Sequence, residues 1–301
     1  MRFATFRTSQ GLRLHVLGRD GYVDLAEATG DNALVSINGL AAGGSAALDA
    51  ARTASSVLGK VFDRADFAAS TPNPTRILCL GVNYADHAIE GGRAVPTWPE
   101  SFVRGAGSVI GAYDDLVKPA FSDRLDYEAE LAIVIGKGGR YIRAEDAFGA
   151  ILGYSVMNDG SAREWQRAAT QWTSGKNFEG TMPIGPEVVT VDEVDVTDLA
   201  ISSTLNGKVM QSARTSDMIV SVARAVEFFS SFTTLRPGDV IASGTPGGVG
   251  FARTPPVWLV PGDVIEVTVE GIGTISNRVV GEEGAPNDWP WHPQGTDTTS
   301  F

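Results

Sequence analysis

The stretch "LDYEAELAIVIG", residues 125–136, begins with three carboxylates and ends as an apolar strand. Asp126, Glu128 and Glu130 are spaced two apart, so an extended strand would place them on one face. Like charges side by side repel one another, and taking them out of water costs free energy. Two interpretations fit: the solvated end of an edge strand, or a row of hard oxygen ligands for Mg²⁺, Mn²⁺ or Ca²⁺.

The composition sets broad limits on the rest of the chain. Its 301 residues are 43% hydrophobic and 20% charged, which is ordinary for a globular protein with a sizeable core. The formal net charge of -12 disfavours nucleic acid and anionic membranes as partners. No apolar run approaches the ~20 residues of a membrane helix, and no signal segment is evident at the N-terminus. We expect a cytoplasmic protein without an internal disulfide, because Cys79 is its one cysteine.

The organisation of the chain is α+β and rich in strands. Residues 1–70 read as a small N-terminal α/β domain, with three short strands and an amphipathic helix over 46–66. "STPNPT" holds two prolines in six residues, so we place the boundary there and assign 71–301 to a second domain. In that domain Asn206-Gly207 predicts a hairpin turn, and 216–232 predicts a second amphipathic helix. The polar tail from Gly284 is expected to lie on the surface.

A second acidic feature lies in "GYSVMNDGSAREWQ", where an apolar strand ends at Asn158 and Asp159. Asp159 could supply a third oxygen ligand to a cation. Arg163 and Gln166 are three apart on the turn or helix that follows, so they share a face. Both suit recognition of a carboxylate or carbonyl group. The alternative is an ordinary Asn-Asp-Gly turn.

A histidine and a glutamate form a third feature in "NYADHAIEGG". His87 and Glu90 occupy positions i and i+3 of a short helix, where the carboxylate could orient the imidazole as a general base. Gly91 and Gly92 would let this segment act as a lid. The alternative is a surface helix with an incidental pair.

Two glycine-flanked loops complete the set of candidates. Lys176 follows Gly175 and could counter an enolate or carboxylate, or else be a solvated lysine in a turn. In "SGTPGGVG", residues 243–250, backbone N–H groups and the Thr245 hydroxyl could form an anion-binding nest. The loop lacks the Gly-Lys-Ser/Thr ending of a phosphate-binding loop and the Gly-x-Gly-x-x-Gly spacing of a dinucleotide-binding loop. Both kinds of ligand are therefore disfavoured.

Taken in order, seven segments resemble the fumarylacetoacetate hydrolase family. They span about residues 76–280 and read "GVNYADHAIE", "DYEAELAIVIGK", "GYSVMNDGSAREWQ", "GKNFEGTMPIGP", "NGKVMQS", "LRPGDVIASGTPGGVG" and "PGDVIEVTVEGIGTISN". The resemblance extends to the bacterial acylpyruvase and 2-hydroxyhepta-2,4-diene-1,7-dioate isomerase branch, associated with aromatic catabolism. It implies a mixed β-roll around a metal site in the C-terminal domain, a variable N-terminal domain, and a homodimer.

Site roles follow from the resemblance, position by position. Glu128, Glu130 and Asp159 match the ligands of Mg²⁺ or Mn²⁺, with Ca²⁺ as a further candidate. Asp126 matches no ligand and is expected either behind the ligands or in solvent. His87 and Glu90 match a lid dyad that activates water. The positions around the oxo-acid end of the substrate are Arg163, Gln166, Lys176 and Thr245.

The activity that the resemblance implies is metal-dependent hydrolysis of a carbon–carbon bond in a 2,4-dioxo acid, of the acylpyruvate or β-diketone type. His87 would take a proton from water, and Lys176 would stabilise the enolate leaving group. The same site chemistry serves decarboxylases, tautomerases or isomerases, and hydratases, so these remain alternatives. A metal-stabilised binding protein without catalysis is the alternative from another class.

Overall fold

The strands of the protein make up most of its architecture. The computed structural model describes residues 1–286, 288–291 and 293. The strands are β1 Arg2–Thr8, β2 Gly11–Leu17, β3 Tyr22–Asp24, β4 Ile77–Gly81, β5 Glu100–Arg104, β6 Val109–Ile110, β7 Leu116–Lys118, β8 Leu125–Asp126, β9 Ala129–Ile135, β10 Ile151–Asn158, β11 Ser161–Ala162, β12 Met182–Thr190, β13 Ala200–Leu205, β14 Lys208–Arg214, β15 Val240–Ala242, β16 Val264–Val269 and β17 Gly273–Gly281. The α-helices are α1 Leu25–Thr29, α2 Ile37–Ala54, α3 Ala85–Glu90, α4 Arg163–Arg167, α5 Thr173–Lys176 and α6 Val222–Phe232.

Two large sheets carry the fold. The first has ten strands in the order β3-β2-β1-β12-β10-β9-β15-β4-β5, with β6 paired to β12. The second has five strands in the order β14-β13-β16-β17-β7, and a small third sheet joins β8 to β11. Pairing is mixed, since β15 runs parallel to β4 and antiparallel to β9. The predicted α+β class with a mixed, β-rich roll is confirmed.

The N-terminal strands continue the large sheet. Strand β1 pairs antiparallel with β12, where Arg2 lies opposite Val189. The apolar side of residues 1–70 shares its core with β9 through Val134. The division at residue 70 stays a prediction, and the structure adds that one sheet crosses it.

The predicted bounds of the first amphipathic helix were wrong at both ends. Helix α2 begins at Ile37, after Ser36 accepts a hydrogen bond from the Gly39 N–H, and it ends at Ala54. Gly44 has a φ of 60° and a ψ of -142°, which are not helical, so two helical segments meet at a kink there.

The hairpin at Asn206-Gly207 is confirmed. Both residues have positive φ, 51° and 78°, as a tight turn between β13 and β14 requires. Helix α6 begins at Val222, where Ser221 caps it, rather than at residue 216. The predicted surface tail from Gly284 lies largely outside the described residues. Among the described residues, no helix has the length and apolar character needed to cross a bilayer.

The three-carboxylate ladder on one strand was wrong in one respect. Asp126 belongs to the short strand β8, opposite Ser161, whereas β9 begins at Ala129. The Asp126 side chain accepts a hydrogen bond from the next backbone N–H, that of Tyr127, at 2.9 Å. The strand pairing is therefore interrupted between the first and third carboxylates, and only Glu130 lies within the long strand.

Strand β9 lies between β10 and β15 and is buried along its whole length. Leu131, Ile133 and Ile135 point into the main core, and the residues between them point to the opposite side. The pairing of β9 with β10 sets Glu130 opposite Met157 and Ala129 opposite Asn158. This register places the start of β9 and the end of β10, which both carry acidic residues, at the same end of the sheet.

We predict that truncating β9 in the core destabilises the whole fold. Ile133 is 0% exposed and Ile89 is 66% exposed, so the same Ile→Ala change can be compared at both positions. Ile133→Ala should lower the free energy of unfolding in urea by about 2–5 kcal/mol because it leaves a cavity. Ile89→Ala should stay within about 0.5 kcal/mol. Equal losses would contradict the central place given to β9.

Candidate active site

Three carboxylates converge where strand β9 begins and strand β10 ends. Oxygen atoms of Glu128, Glu130 and Asp159 lie within 4.8 Å of one another, and all three residues are buried. Backbone and side-chain hydrogen bonds hold them there. The Asp159 N–H donates to the Glu128 carbonyl at 2.9 Å, and the Glu128 N–H donates to the side chain of Asn158 at 2.9 Å. The structure thus brings together all three predicted metal ligands.

Buried cations face two of these carboxylates. Arg163 Nη2 lies 2.8 Å from Glu128, and Lys176 Nζ lies 2.7 Å from both Glu128 and Asp159. Arg104 Nη1 pairs with the other oxygen of Asp159. Burial alone would raise the pKa of Glu128, but the charges of Lys176 and Arg163 outweigh it and lower that pKa to about 2. Glu128 is therefore anionic across the physiological range.

Glu130 is in a different electrostatic position. Its carboxylate accepts a hydrogen bond from the Gly244 N–H at 2.8 Å. Within residues 1–286, 288–291 and 293, it forms no ion pair with a lysine or arginine inside 4.0 Å. Burial, followed by the charges of Asp159 and Glu128, raises the pKa of Glu130 well above its usual value. This carboxyl group needs either a proton or a cation beside it.

The donor set fits a hard divalent cation. Carboxylate oxygens are the ligands that Mg²⁺ and Mn²⁺ prefer, and one such ion among the three side chains would neutralise the charge at Glu130. Glu128, Glu130 and Asp159 are the residues that would hold it. The coarse prediction of a divalent-metal site therefore agrees with this geometry, and which ion it takes stays open.

Asp126 stands behind the site rather than in solvent. It is 0% exposed, and its Oδ2 accepts from Arg163 Nε at 2.8 Å. Its two oxygens also accept from the backbone N–H groups of Gly250 and Phe251, at 2.7 and 3.1 Å. The solvated alternative for Asp126 was wrong, because this carboxylate ties Arg163 to the loop that follows Gly248.

The predicted dyad is formed. His87 Nδ1 lies 2.9 Å from Glu90 Oε1, and the other Glu90 oxygen accepts from the Gly248 N–H at 2.7 Å. His87 is only 9% exposed and lines the same cleft as Glu128 and Glu130. Since a carboxylate only accepts, Nδ1 carries a proton, and in the neutral imidazole Nε2 is the nitrogen that can accept one.

The remaining predicted residues line this cleft as well. Arg163 Nη1 donates to Gln166 at 2.9 Å, and the Thr245 hydroxyl accepts from Gln211 at 2.7 Å. Burial alone would lower the pKa of Lys176, but the charges of Asp159 and Glu128 outweigh it and raise that pKa. Lys176 is therefore a fixed positive charge on the cleft floor. Its contact with a substrate stays a prediction.

Several residues of the site were missed in the sequence. Arg104 lies on β5, far from any acidic motif, so nothing signalled its pairing with Asp159. Phe102 and Phe251, two aromatic side chains that line the cleft, were missed as well, and Trp172 packs against Phe102 there. Trp172 packs so close to Gly81 that a Cβ there would lie 2.4 Å from its ring. The glycine at the end of strand β4 is the one sequence signal that could have suggested this contact.

The cleft as a whole suits a small anionic ligand. Carboxylates, buried cations and aromatic rings line it together. Arg163 lies under Phe251, with its guanidinium carbon 4.7 Å from the ring centroid. The oriented imidazole, the carboxylate cluster and the buried cations thus share one pocket, an arrangement that suits metal-assisted chemistry on an acid.

The family assignment follows from comparison with known proteins. The model of the fumarylacetoacetate (FAA) hydrolase C-terminal domain matches residues 76–280 of this chain. The protein therefore belongs to the fumarylacetoacetate hydrolase family and is an enzyme of that family. The match covers every residue placed in the cleft above.

The names of individual relatives state different activities. The mitochondrial oxaloacetate tautomerase FAHD2A of Bos taurus is 42% identical over 242 residues, which are 79% of this chain and 77% of that protein. A fumarylacetoacetate hydrolase of Exiguobacterium antarcticum is 34% identical with a TM-score of 0.83, covering 94% of this chain and 100% of that one. A 2-hydroxyhepta-2,4-diene-1,7-dioate isomerase of Mycobacterium marinum is 30% identical with a TM-score of 0.74, covering 94% and 99%. The branch predicted from the sequence is confirmed.

We predict that metal binding competes with a proton on Glu130. Because burial and neighbouring carboxylates raise the pKa of Glu130, the apparent Mn²⁺ affinity should rise with pH as this group ionises. Calorimetry in two buffers should show proton release on binding. Glu130→Gln should weaken binding and remove that release, whereas exposed Glu145→Gln should change neither. A pH-independent affinity, or an unchanged Glu130→Gln protein, would contradict the assignment.

Proposed function

We propose that the protein catalyses keto–enol tautomerisation of a small 2-oxo dicarboxylic acid of the oxaloacetate type, with a divalent cation as cofactor. The observation that carries the proposal is the placement of His87, oriented by Glu90, in one cleft with the three carboxylates. The similarity to oxaloacetate tautomerases supports this choice of reaction within the family.

The floor of the cleft accounts for binding the acid. Lys176 and Arg163 carry buried positive charge beside the carboxylate cluster, and Arg163 is held rigid by Asp126. A substrate carboxylate entering here meets buried cations that their carboxylate partners already hold in place. When bound, a divalent cation would supply Lewis-acid stabilisation of the charge that develops on the 2-oxo oxygen.

Proton transfer falls to His87. Its Nδ1–H donates to Glu90, so the free Nε2 can take a proton from the carbon next to the 2-oxo group. Glu90 stabilises the imidazolium, and its second oxygen is anchored by the Gly248 N–H. The imidazolium then returns the proton to the oxygen, and the reverse sequence converts enol to keto. The reaction is balanced within one substrate and needs no co-reactant.

A second candidate is the carbon–carbon hydrolysis predicted from the sequence. The same His87 Nε2 could take a proton from water that attacks the distal carbonyl of a 2,4-dioxo acid. Lys176 would face the developing enolate, and the similarity to a fumarylacetoacetate hydrolase favours this reaction. Decarboxylation needs no base in the bond-breaking step, so the buried dyad gives it no support. A binding role without catalysis leaves the oriented imidazole without a use.

We predict that His87→Ala lowers tautomerisation by about 10²–10⁴-fold because it removes the proton acceptor. Mn²⁺ affinity should persist, since His87 is not among the three carboxylates. Glu90→Gln should cost less, because the imidazole remains but loses its orienting charge. The measurement is loss of the enol absorbance of oxaloacetate, with products identified by NMR.

The same protein should be assayed with acetylpyruvate to separate the two reactions. Tautomerisation without acetate release supports the first candidate. Acetate release that His87→Ala abolishes supports the second and contradicts the first if oxaloacetate is not turned over. Full activity of His87→Ala on both substrates would exclude His87 as the base.

A further inference from the structure

Gln211 links strand β9 to the loop at 245–246 through one buried amide. It lies on β14 of the five-stranded sheet and is 1% exposed. Its Oε1 accepts from the Ala129 N–H at 3.0 Å and from the Ser203 hydroxyl at 2.9 Å. Its Nε2 donates to the Thr245 hydroxyl at 2.7 Å and to the Pro246 carbonyl at 2.9 Å. All four bonding positions of the side chain are therefore used.

The orientation of this amide is fixed by its backbone partners. The N–H of Ala129 can only donate, so it must face the amide oxygen. The carbonyl of Pro246 can only accept, so it must face the amide nitrogen. In a flipped amide, the amide nitrogen would face the Ala129 N–H and the amide oxygen would face the Pro246 carbonyl. These buried groups would then lack a hydrogen-bond partner.

The direction of the next hydrogen bond follows from that orientation. The amide nitrogen donates, so the Thr245 oxygen accepts, and the single proton of that hydroxyl must point elsewhere. In the described part of the chain, this bond from Gln211 is the one hydrogen bond made to the Thr245 hydroxyl. Thr245 lines the cleft beside Lys176 and Glu130. Its proton is thus available to a ligand in the cleft.

We propose that Gln211 is a positioning residue that directs the proton of the Thr245 hydroxyl to the carboxylate of the substrate. The assignment rests on the proposed function for its acidic substrate, but not on which reaction follows. A hydroxyl that could rotate would accept or donate according to its partner. With the amide in place, the Thr245 proton cannot go to Gln211 and is left for the ligand, and a carboxylate offers only acceptors for it.

The test is oxalate binding to the Mn²⁺-loaded protein by calorimetry, which requires no turnover. Thr245→Val should weaken binding about 10-fold or more, the loss expected for a hydrogen bond to a charged group. Thr245→Ser keeps the hydroxyl and should restore the affinity. Gln211→Glu keeps the acceptor toward Ala129 but turns the other end into an acceptor, so Thr245 would donate to it and away from the cleft. The loss should match that of Thr245→Val.

The double variant separates positioning from other effects. If Gln211 acts through Thr245, adding Gln211→Glu to Thr245→Val should cause no further loss of oxalate affinity. Gln211→Met provides a second route without a new charge, with a smaller loss that Thr245→Val should likewise abolish. Ser203→Ala removes a partner on the other end of the same amide and should leave oxalate binding unchanged. Mn²⁺ affinity should be unaltered throughout.

Three results would overturn the assignment. Equal losses from the Gln211 changes in both Thr245 backgrounds would show that Gln211 acts by charge or by general packing. Full oxalate affinity in Thr245→Val would show that the hydroxyl does not meet the carboxylate. Wild-type protein that fails to bind oxalate would overturn the proposed function as well. Intact coupling in a protein without tautomerase activity would overturn the proposed reaction alone.

Discussion

The structure depends on a buried cluster of charges that does not balance. Four buried carboxylates, those of Asp126, Glu128, Glu130 and Asp159, face three buried cations, those of Arg104, Arg163 and Lys176. Each ion costs several kcal/mol to remove from water, and close pairing offsets that cost only where the geometry is good. The pairs satisfy Glu128, Asp159 and Asp126, and they leave Glu130 without a cationic partner among the described residues. The unbalanced charge is what makes the cluster a site rather than a set of structural ion pairs.

The fold serves to hold this cluster rigid from every side. The β9–β10 register places Glu130 and Asp159 together, and the neighbouring β15 leads into the loop whose Gly244 N–H bonds Glu130. Asp126 accepts hydrogen bonds from the backbone of the loop at 250–251, and Glu90 accepts one from Gly248 in the same loop. The dyad and Arg163 are therefore anchored to one stretch of backbone. The five-stranded sheet contributes through Gln211 on β14. Side chains held this way can act on a ligand without first rearranging.

Much of the site could be predicted because its residues lie in compact motifs. Glu128, Asp159 and His87 lie next to strands or turns with strong local patterns, and the resemblance to the family matched each of them to a role. Arg104 could not be predicted, because an arginine on an edge strand has no sequence signal for a partner far along the chain. Asp126 was predicted on the same strand as Glu130, since spacing alone does not reveal that the strand pairing is interrupted after Asp126, whose side chain accepts from the Tyr127 N–H. Helix α2 was predicted over 46–66, but helical turns also precede the non-helical Gly44 and the helix ends at Ala54. The spacing of apolar residues alone did not reveal these bounds.

The most direct measurement is a crystal structure of the protein with Mn²⁺ and oxalate, using anomalous scattering to locate the metal. The account predicts one Mn²⁺ in contact with oxygens of Glu128, Glu130 and Asp159, the three carboxylates that converge here. It predicts oxalate in the same cleft, within reach of the Thr245 hydroxyl. A metal bound elsewhere, with the three carboxylates paired as before and Glu130 untouched, would contradict it.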